Sequence, residues 1–175
     1  MKTGSCLALL AALFLSHHFA YGQDGAPGGK RPRRPDDYQV RTIKELPIES
    51  SDSESRGNKE ETMIVHPAIL PSQVRVTYTG STRKMPQIKK EVLRQWARLY
   101  AGSPEGYTEP YQTELLFREG EDKHWLAVKK DSLSRFKKEL KKGDGLDLYL
   151  IRVGSAKVSD EWELVLLIES FQKPK

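Results

Sequence analysis

Apolar and polar residues follow three rhythms along the 175-residue chain: an unbroken apolar run from Cys6 to Leu15, a stretch from Gln23 to Glu61 that is poor in apolar residues, and regular apolar spacing from Val74 onwards. In the last part, Val74, Val76 and Tyr78 alternate with Arg75, Thr77 and Thr79, the period of two that places successive side chains on opposite faces of a strand. Gly80-Ser81 reads as the end of that strand. Pro86 suits a first helical position, where its missing N–H breaks no bond, and Ile88, Val92, Trp96, Leu99 and Tyr100 recur at helical spacing up to Gly102. This predicts a helix over 86–101, followed by a loop over 103–110 that carries Pro104, Gly106 and Pro110.

Two strand-like runs come next, one with Leu115 and Phe117, the other with Trp125, Leu126 and Val128, and Glu119-Gly120-Glu121-Asp122 between them reads as a hairpin turn. Asp131 is expected to cap a second helix whose apolar face is Leu133, Phe136 and Leu140, with Gly143 as its terminator. Leu146, Leu148 and Leu150 then alternate with Asp147, Tyr149 and Ile151, and a polar turn around Ser155–Asp160 leads to a final apolar strand from Trp162 to Phe171. The order strand, helix, strand, strand, helix, strand, strand predicts an α+β domain over 74–175. Its expected form is a small five-stranded antiparallel OB-like barrel with two helices, the helix over 86–101 being an insertion in that plan. An open α+β sheet with both helices on one face is the competing arrangement.

The residues before Val74 are of another kind. Lys2 is the only charge before Asp24, the apolar run is about half of the roughly 20 residues a spanning helix needs, and Ala20 and Gly22 are small residues at the −3 and −1 positions of a cut before Gln23. Residues 1–22 therefore read as a signal peptide, and the mature chain as exported, periplasmic or secreted, with no transmembrane segment. Cys6 precedes the apolar run, which argues against a lipid anchor. It is also the only cysteine, so the mature chain is expected to have no disulfide, thiolate metal site or cysteine nucleophile. Residues 23–73 read as a disordered or extended tether, with Val40, Ile43, Leu46 and Ile48 as a small apolar island, a docking peptide or a transient turn. The segment 62–73, with Met63-Ile64-Val65 and Ile69-Leu70, reads as extended chain able to lie on the domain or add at a sheet edge.

Between Tyr111 and Gly154 the chain resembles a group of uncharacterised exported bacterial proteins. The resemblance rests on Glu114-Leu115-Leu116-Phe117-Arg118-Glu119-Gly120, His124-Trp125-Leu126-Ala127-Val128, Phe136-Lys137-Lys138-Glu139-Leu140-Lys141-Lys142-Gly143-Asp144, Leu148-Tyr149-Leu150 and Gly154, about a quarter of the chain. It implies a bacterial source and an OB-like barrel, and it transfers no functional residues.

Charge singles out one candidate site. Residues 74–175 carry 20 Lys and Arg against 15 Asp and Glu, which accounts for the whole net charge of +5. Lys137, Lys138, Lys141 and Lys142 share the second helix and its end, with Lys129, Lys130 and Arg135 close by. Such a face attracts phosphate or carboxylate polymers; as a solvated helix face it would merely keep the domain soluble. Lys30, Arg31, Arg33 and Arg34 could touch an anionic membrane surface, and the acidic stretch Glu45 to Glu61 could fold back onto the lysines. Tyr78, Tyr107, Tyr111 and Trp125 could offer stacking rings, but export makes nucleic acid an improbable partner, and Trp96, Trp125 and Trp162 are expected to pack in the core.

Nothing points to chemistry. His66 and His124 are expected at turns or on the surface, and Glu119, Glu121 and Asp122 fall in a solvated turn that would not separate two pKa values. Ser132 and Ser134 have no neighbouring histidine, and Gly143-Asp144-Gly145 is a helix stop rather than a phosphate loop. No cofactor or metal is expected. The sequence thus predicts an exported non-enzymatic binding module of the envelope or periplasm, its partner an anionic polymer or a protein. The alternatives are an assembly accessory acting by sheet-edge pairing, and a hydrolase whose site the sequence does not mark.

Overall fold

The computed structural model describes residues 33–46, 62–66, 69–100 and 104–174. The expected signal peptide, and the acidic residues Glu49 to Glu61, lie outside them. The described strands and α-helices are β1 (Gln39–Val40), β2 (Met63–Val65), β3 (Ser72–Lys84), α1 (Gln87–Tyr100), α2 (Pro104–Thr108), β4 (Thr113–Glu119), β5 (Asp122–Val128), α3 (Lys130–Glu139), β6 (Gly145–Val158) and β7 (Glu161–Gln172), with 3₁₀ turns at Pro35–Asp37 and Ile43–Glu45.

The protein is α+β, with three helices and seven strands among the described residues, in one mixed sheet. The five expected strands are joined by two more, the two expected helices by a third, and the sheet is mixed rather than antiparallel throughout. Five strands form a ring in the order β3-β4-β5-β7-β6, closed by the pairing of β6 back onto β3, so the open sheet is overturned. Within the ring, β5 and β7 run parallel and share two pairs, Ala127–Leu167 and Val128–Ile168. The two additional strands come from the stretch read as a tether: β1 adds parallel to β3, and β2 adds antiparallel to β6.

Strand alternation builds two cores. Val74 and Val76, Leu115 and Phe117, Leu126 and Val128, Leu146, Leu148 and Leu150, and Leu166 and Ile168 share one cluster inside the ring, which Phe136 of α3 and Leu140 at its end enter. The intervening residues Ala127, Ile151, Val153, Ala156, Val165 and Leu167 face outwards and are covered by Val92, Leu93, Trp96 and Ala97 of α1. β6 is therefore buried on both faces from Leu146 to Ala156. Gly154 is required there, because a Cβ on it would stand 2.2 Å from the Ile64 carbonyl oxygen and 2.5 Å from Val92 Cγ1.

Local corrections have local causes. Gly80 does not end its strand. With φ at +82° it sits in an irregularity where β3 advances from Tyr78 to Thr82 while β4 advances only from Phe117 to Leu115, and the strand continues to Lys84. The expected loop 103–110 contains α2. Lys129 occupies the cap position of α3, leaving Asp131 inside the first turn, and the helix ends at Glu139, with Gly143 in the turn beyond it. In α1 the buried face is Val92, Leu93, Trp96 and Ala97, whereas Leu99 is 65% exposed.

Candidate functional site

The sequence-predicted basic face is present as a surface. Lys129, Lys130, Arg135, Lys137, Lys138, Lys141 and Lys142 are all exposed, on α3 and its flanks. Arg135 is held locally, by Glu139 at 2.9 Å and over the Phe171 ring at 4.6 Å. Lys129 lies over the Tyr111 ring at 5.9 Å. Among the described residues, no carboxylate forms an ion pair with any of the six lysines. Asp144, in the turn after α3, instead accepts from the Lys141 backbone N–H and pairs with Lys173, both at 3.0 Å. Its carboxyl is held below the usual range, first by the Lys141 N–H and then by Lys173.

Of the four basic residues expected to meet a membrane, Lys30 and Arg31 lie outside the described residues and Arg34 is exposed. Arg33 is engaged elsewhere: it reaches both Glu169 oxygens, at 2.7 and 2.8 Å, and the Tyr38 hydroxyl donates to the same carboxylate at 2.5 Å.

A second feature escaped the sequence. Lys89 of α1, Arg83 of β3, Glu114 of β4 and Glu163 of β7 form a charge cluster beneath the start of α1. Lys89 Nζ lies 2.8 Å from Glu114 and 2.7 Å from Glu163, Arg83 Nε lies 2.7 Å from Glu114, and Arg83 also pairs with Glu163. The Lys89 and Glu114 side chains are 0% and 1% exposed. Burial alone would raise the Glu163 carboxyl, but Arg83 and Lys89 together bring it below its ordinary value. Arg83 also stands 4.5 Å over the Trp125 ring.

Trp125 and Glu163 lead from this cluster to a cleft of about 640 Å³ between β5 and β7, where the two strands diverge away from their two shared pairs. His124, Trp125 and Trp162 line it with Leu126, Leu164 and Leu166, and Ile43, Lys44 and Leu46 border it. Of the tryptophans expected in the core, Trp96 is there at 0% exposure, while Trp125 and Trp162 are half-buried in the cleft. Tyr78 and Tyr111 are buried core residues and Tyr107 packs edge-on against Trp96, and of the four suggested rings Trp125 lines this cleft.

The histidines are also displaced from expectation. His66 follows β2, is 1% exposed, and its backbone N–H donates to the Val153 carbonyl at 3.0 Å. His124 is half-buried on β5, and burial pushes its imidazole below the ordinary value against the opposing pull of Glu119 and Asp122. Of the three carboxylates expected in a solvated turn, Glu121 is exposed and the other two hold an upstream segment of the chain. Glu119 accepts the Ile43 backbone N–H at 2.9 and 3.1 Å, and Asp122 pairs with Lys44 at 2.6 Å.

No family model and no curated protein matches this chain. Among the described residues no helix is long and apolar enough to cross a membrane, and no group of three or more His, Cys, Asp or Glu is placed to hold a metal ion. The cleft offers aromatic walls, a half-buried imidazole held below its ordinary pKa, and three carboxylates, of which Asp122 and Glu163 are paired with cations.

The cluster had one legible signal. Lys89 stands three, four and seven residues before Val92, Leu93 and Trp96, so a helical projection places it on the apolar face. Its partners, scattered over three strands, had none.

Proposed function

We propose that this chain is an exported, non-enzymatic binding module that takes an anionic polymer on the lysine face of α3. The observation that carries the reading is the set of six exposed lysines, Lys129, Lys130, Lys137, Lys138, Lys141 and Lys142, with no carboxylate ion pair among the described residues. Export rests on the sequence of residues 1–22. An OB-like reading is supported by the strand order β3-β4-β5-β7-β6 and by α3 lying between the third and fourth ring strands, with α1 and α2 inserted between the first and second. Folds of that plan commonly bind extended polymers. The partner class follows from charge, because a positive surface raises the local concentration of polyanions.

The test is retention of the full chain on an immobilised polyanion such as heparin across a salt series. Binding through lysines weakens steeply as salt rises. Lys137→Glu combined with Lys141→Glu is expected to weaken it on the order of tenfold without unfolding the chain. Unchanged retention in that variant overturns the reading.

A second reading, assembly by sheet-edge pairing, is favoured by the way the chain treats its own edges: β1 adds to β3 and β2 adds to β6. A partner strand replacing β2 would bind with little dependence on salt.

A further inference from the structure

The opening between β5 and β7 is occupied in part by the chain itself. Ile43 and Leu46, 1% and 2% exposed, enter the core inside the ring, while Lys44 between them turns out to Asp122. The backbone is held where Ile43 N–H donates to Glu119. Just upstream, Gln39 N–H donates to the Pro71 carbonyl and Arg41 N–H to the Gln73 carbonyl, each at 3.1 Å, which adds β1 to the edge of β3. From Ile43 to Glu45 the chain makes one 3₁₀ turn capped by Thr42, which sets Ile43 and Leu46 three positions apart on one side. Strand addition at a sheet edge and apolar anchors in pockets are means by which proteins take up a segment of another protein.

The fit is incomplete. Beside Ile43 and Leu46 the cleft keeps its 640 Å³, walled among the described residues by Trp125, Trp162, Leu126, Leu164 and Leu166. The cleft is open to solvent on one side, and its volume falls in the range of about 300 to 1,000 Å³ usual for ligand pockets.

We propose that the cleft between β5 and β7 is a recognition groove for a short segment of a partner protein that pairs as a strand and then seats one 3₁₀ turn, with residues 39–46 as its built-in competitor. The chemistry of the partner is set by what is already seated. It carries an apolar residue, then a cation for Asp122, and a second apolar residue three positions after the first, following Ile43-Lys44-Glu45-Leu46. At one of the apolar positions it carries a bulky ring that reaches Trp125 and Trp162. Because the competitor belongs to the same chain, its effective concentration is of millimolar order. The groove therefore opens only to a segment that fits better than residues 39–46 do.

The test uses the full chain and two labelled peptides, one with the sequence of residues 36–48 and one with Leu46→Trp in that sequence, read by fluorescence anisotropy. A chain carrying Ile43→Ser and Leu46→Ser is expected to bind both peptides about tenfold or more tightly than the unaltered chain does. The Leu46→Trp peptide is expected to be the tighter of the two, and to lose that advantage against Trp162→Ala. A folded double variant that takes up neither peptide, or equal binding by altered and unaltered chains, overturns the proposal. So does a double variant that binds both peptides equally well. Should the double variant fail to fold, Lys44→Glu serves instead: its ion pair is exposed, so the domain survives, and affinity for the peptides rises several-fold. No rise overturns the proposal, as does concentration-dependent dimerisation of the unaltered chain by exchange of residues 33–46 without peptide uptake.

Discussion

Lys89, in the first turns of α1, and Glu114, in β4, meet at 2.8 Å with neither side chain exposed to water by more than 1%. Removing Glu114 leaves Lys89 and Arg83 sharing the single carboxylate of Glu163 in a largely dry site, and breaking a buried pair typically costs about 3–5 kcal/mol, whereas replacing both members with apolar residues of similar size is often near neutral. Glu114→Ala is therefore expected to destabilise the chain by about 3–5 kcal/mol. Lys89→Met combined with Glu114→Leu is expected to cost much less, since Arg83 and Glu163 still neutralise each other. Chemical denaturation of the three proteins checks this; a double variant as weak as the single one would refute it.

The two charged residues also show what can be read from a sequence and what cannot. Periodicity places α1, the β4–β5 hairpin and β7 within a residue or two, because each is a local pattern with a clear stop. Long-range pairing is invisible to it. Gly80 looked like a terminator, and became a kink only because Tyr78 and Thr82 both find partners in β4. Residues 33–46 looked like tether because two buried side chains, Ile43 and Leu46, are too few to raise a periodic signal. The lysine face of α3 was fully legible, since seven cations within fourteen residues need no partner to be seen.

His124 should make stability depend on pH. Its imidazole, held by burial below the ordinary value of 6.5, stays neutral in the folded chain, while the unfolded chain takes up a proton as the pH falls below 6.5. The stabilisation is complete above 6.5 and is lost as acid carries the solution down through the folded value. Comparing thermal midpoints at neutral pH and at about pH 5, His124→Gln is expected to show a smaller drop than the unaltered chain. Glu163 acts lower on the scale: its stabilisation is complete above 4.5 and fades as the pH falls through its lowered folded value.

Gly154 is expected to tolerate no side chain. In Gly154→Ala the new Cβ meets Ile64 backbone and the Val92 side chain, so β2 must leave β6 or α1 must shift. A cost of about 1–3 kcal/mol is expected, as for other overpacked sites. Hydrogen exchange should quicken first at the Lys157 amide, which donates to Thr62, and at the His66 amide, which donates to Val153.

Phe136 joins α3 to the ring core, with ring centroids 4.2 Å from Phe171 and 6.3 Å from Phe117. Phe136→Ala is expected to cost about 3–5 kcal/mol. It should also weaken any polyanion binding by the lysines beyond it, since α3 would lose its seat. Phe136→Leu should restore most of both, read by denaturation and by heparin retention.

The two-pair contact between β5 and β7 has a consequence for how the molecule forms. β7 is the last ring strand in chain order, and its pairs with β5 close the ring. Until residues 161–172 have emerged from the ribosome, β5 and β6 each lack a neighbour and the interior stays wet. Closure of the ring is expected to be slow and cooperative, because the non-local contacts that reward it all depend on β7. A chain of this order keeps the edges of β5 and β6 open until β7 is present to cover both.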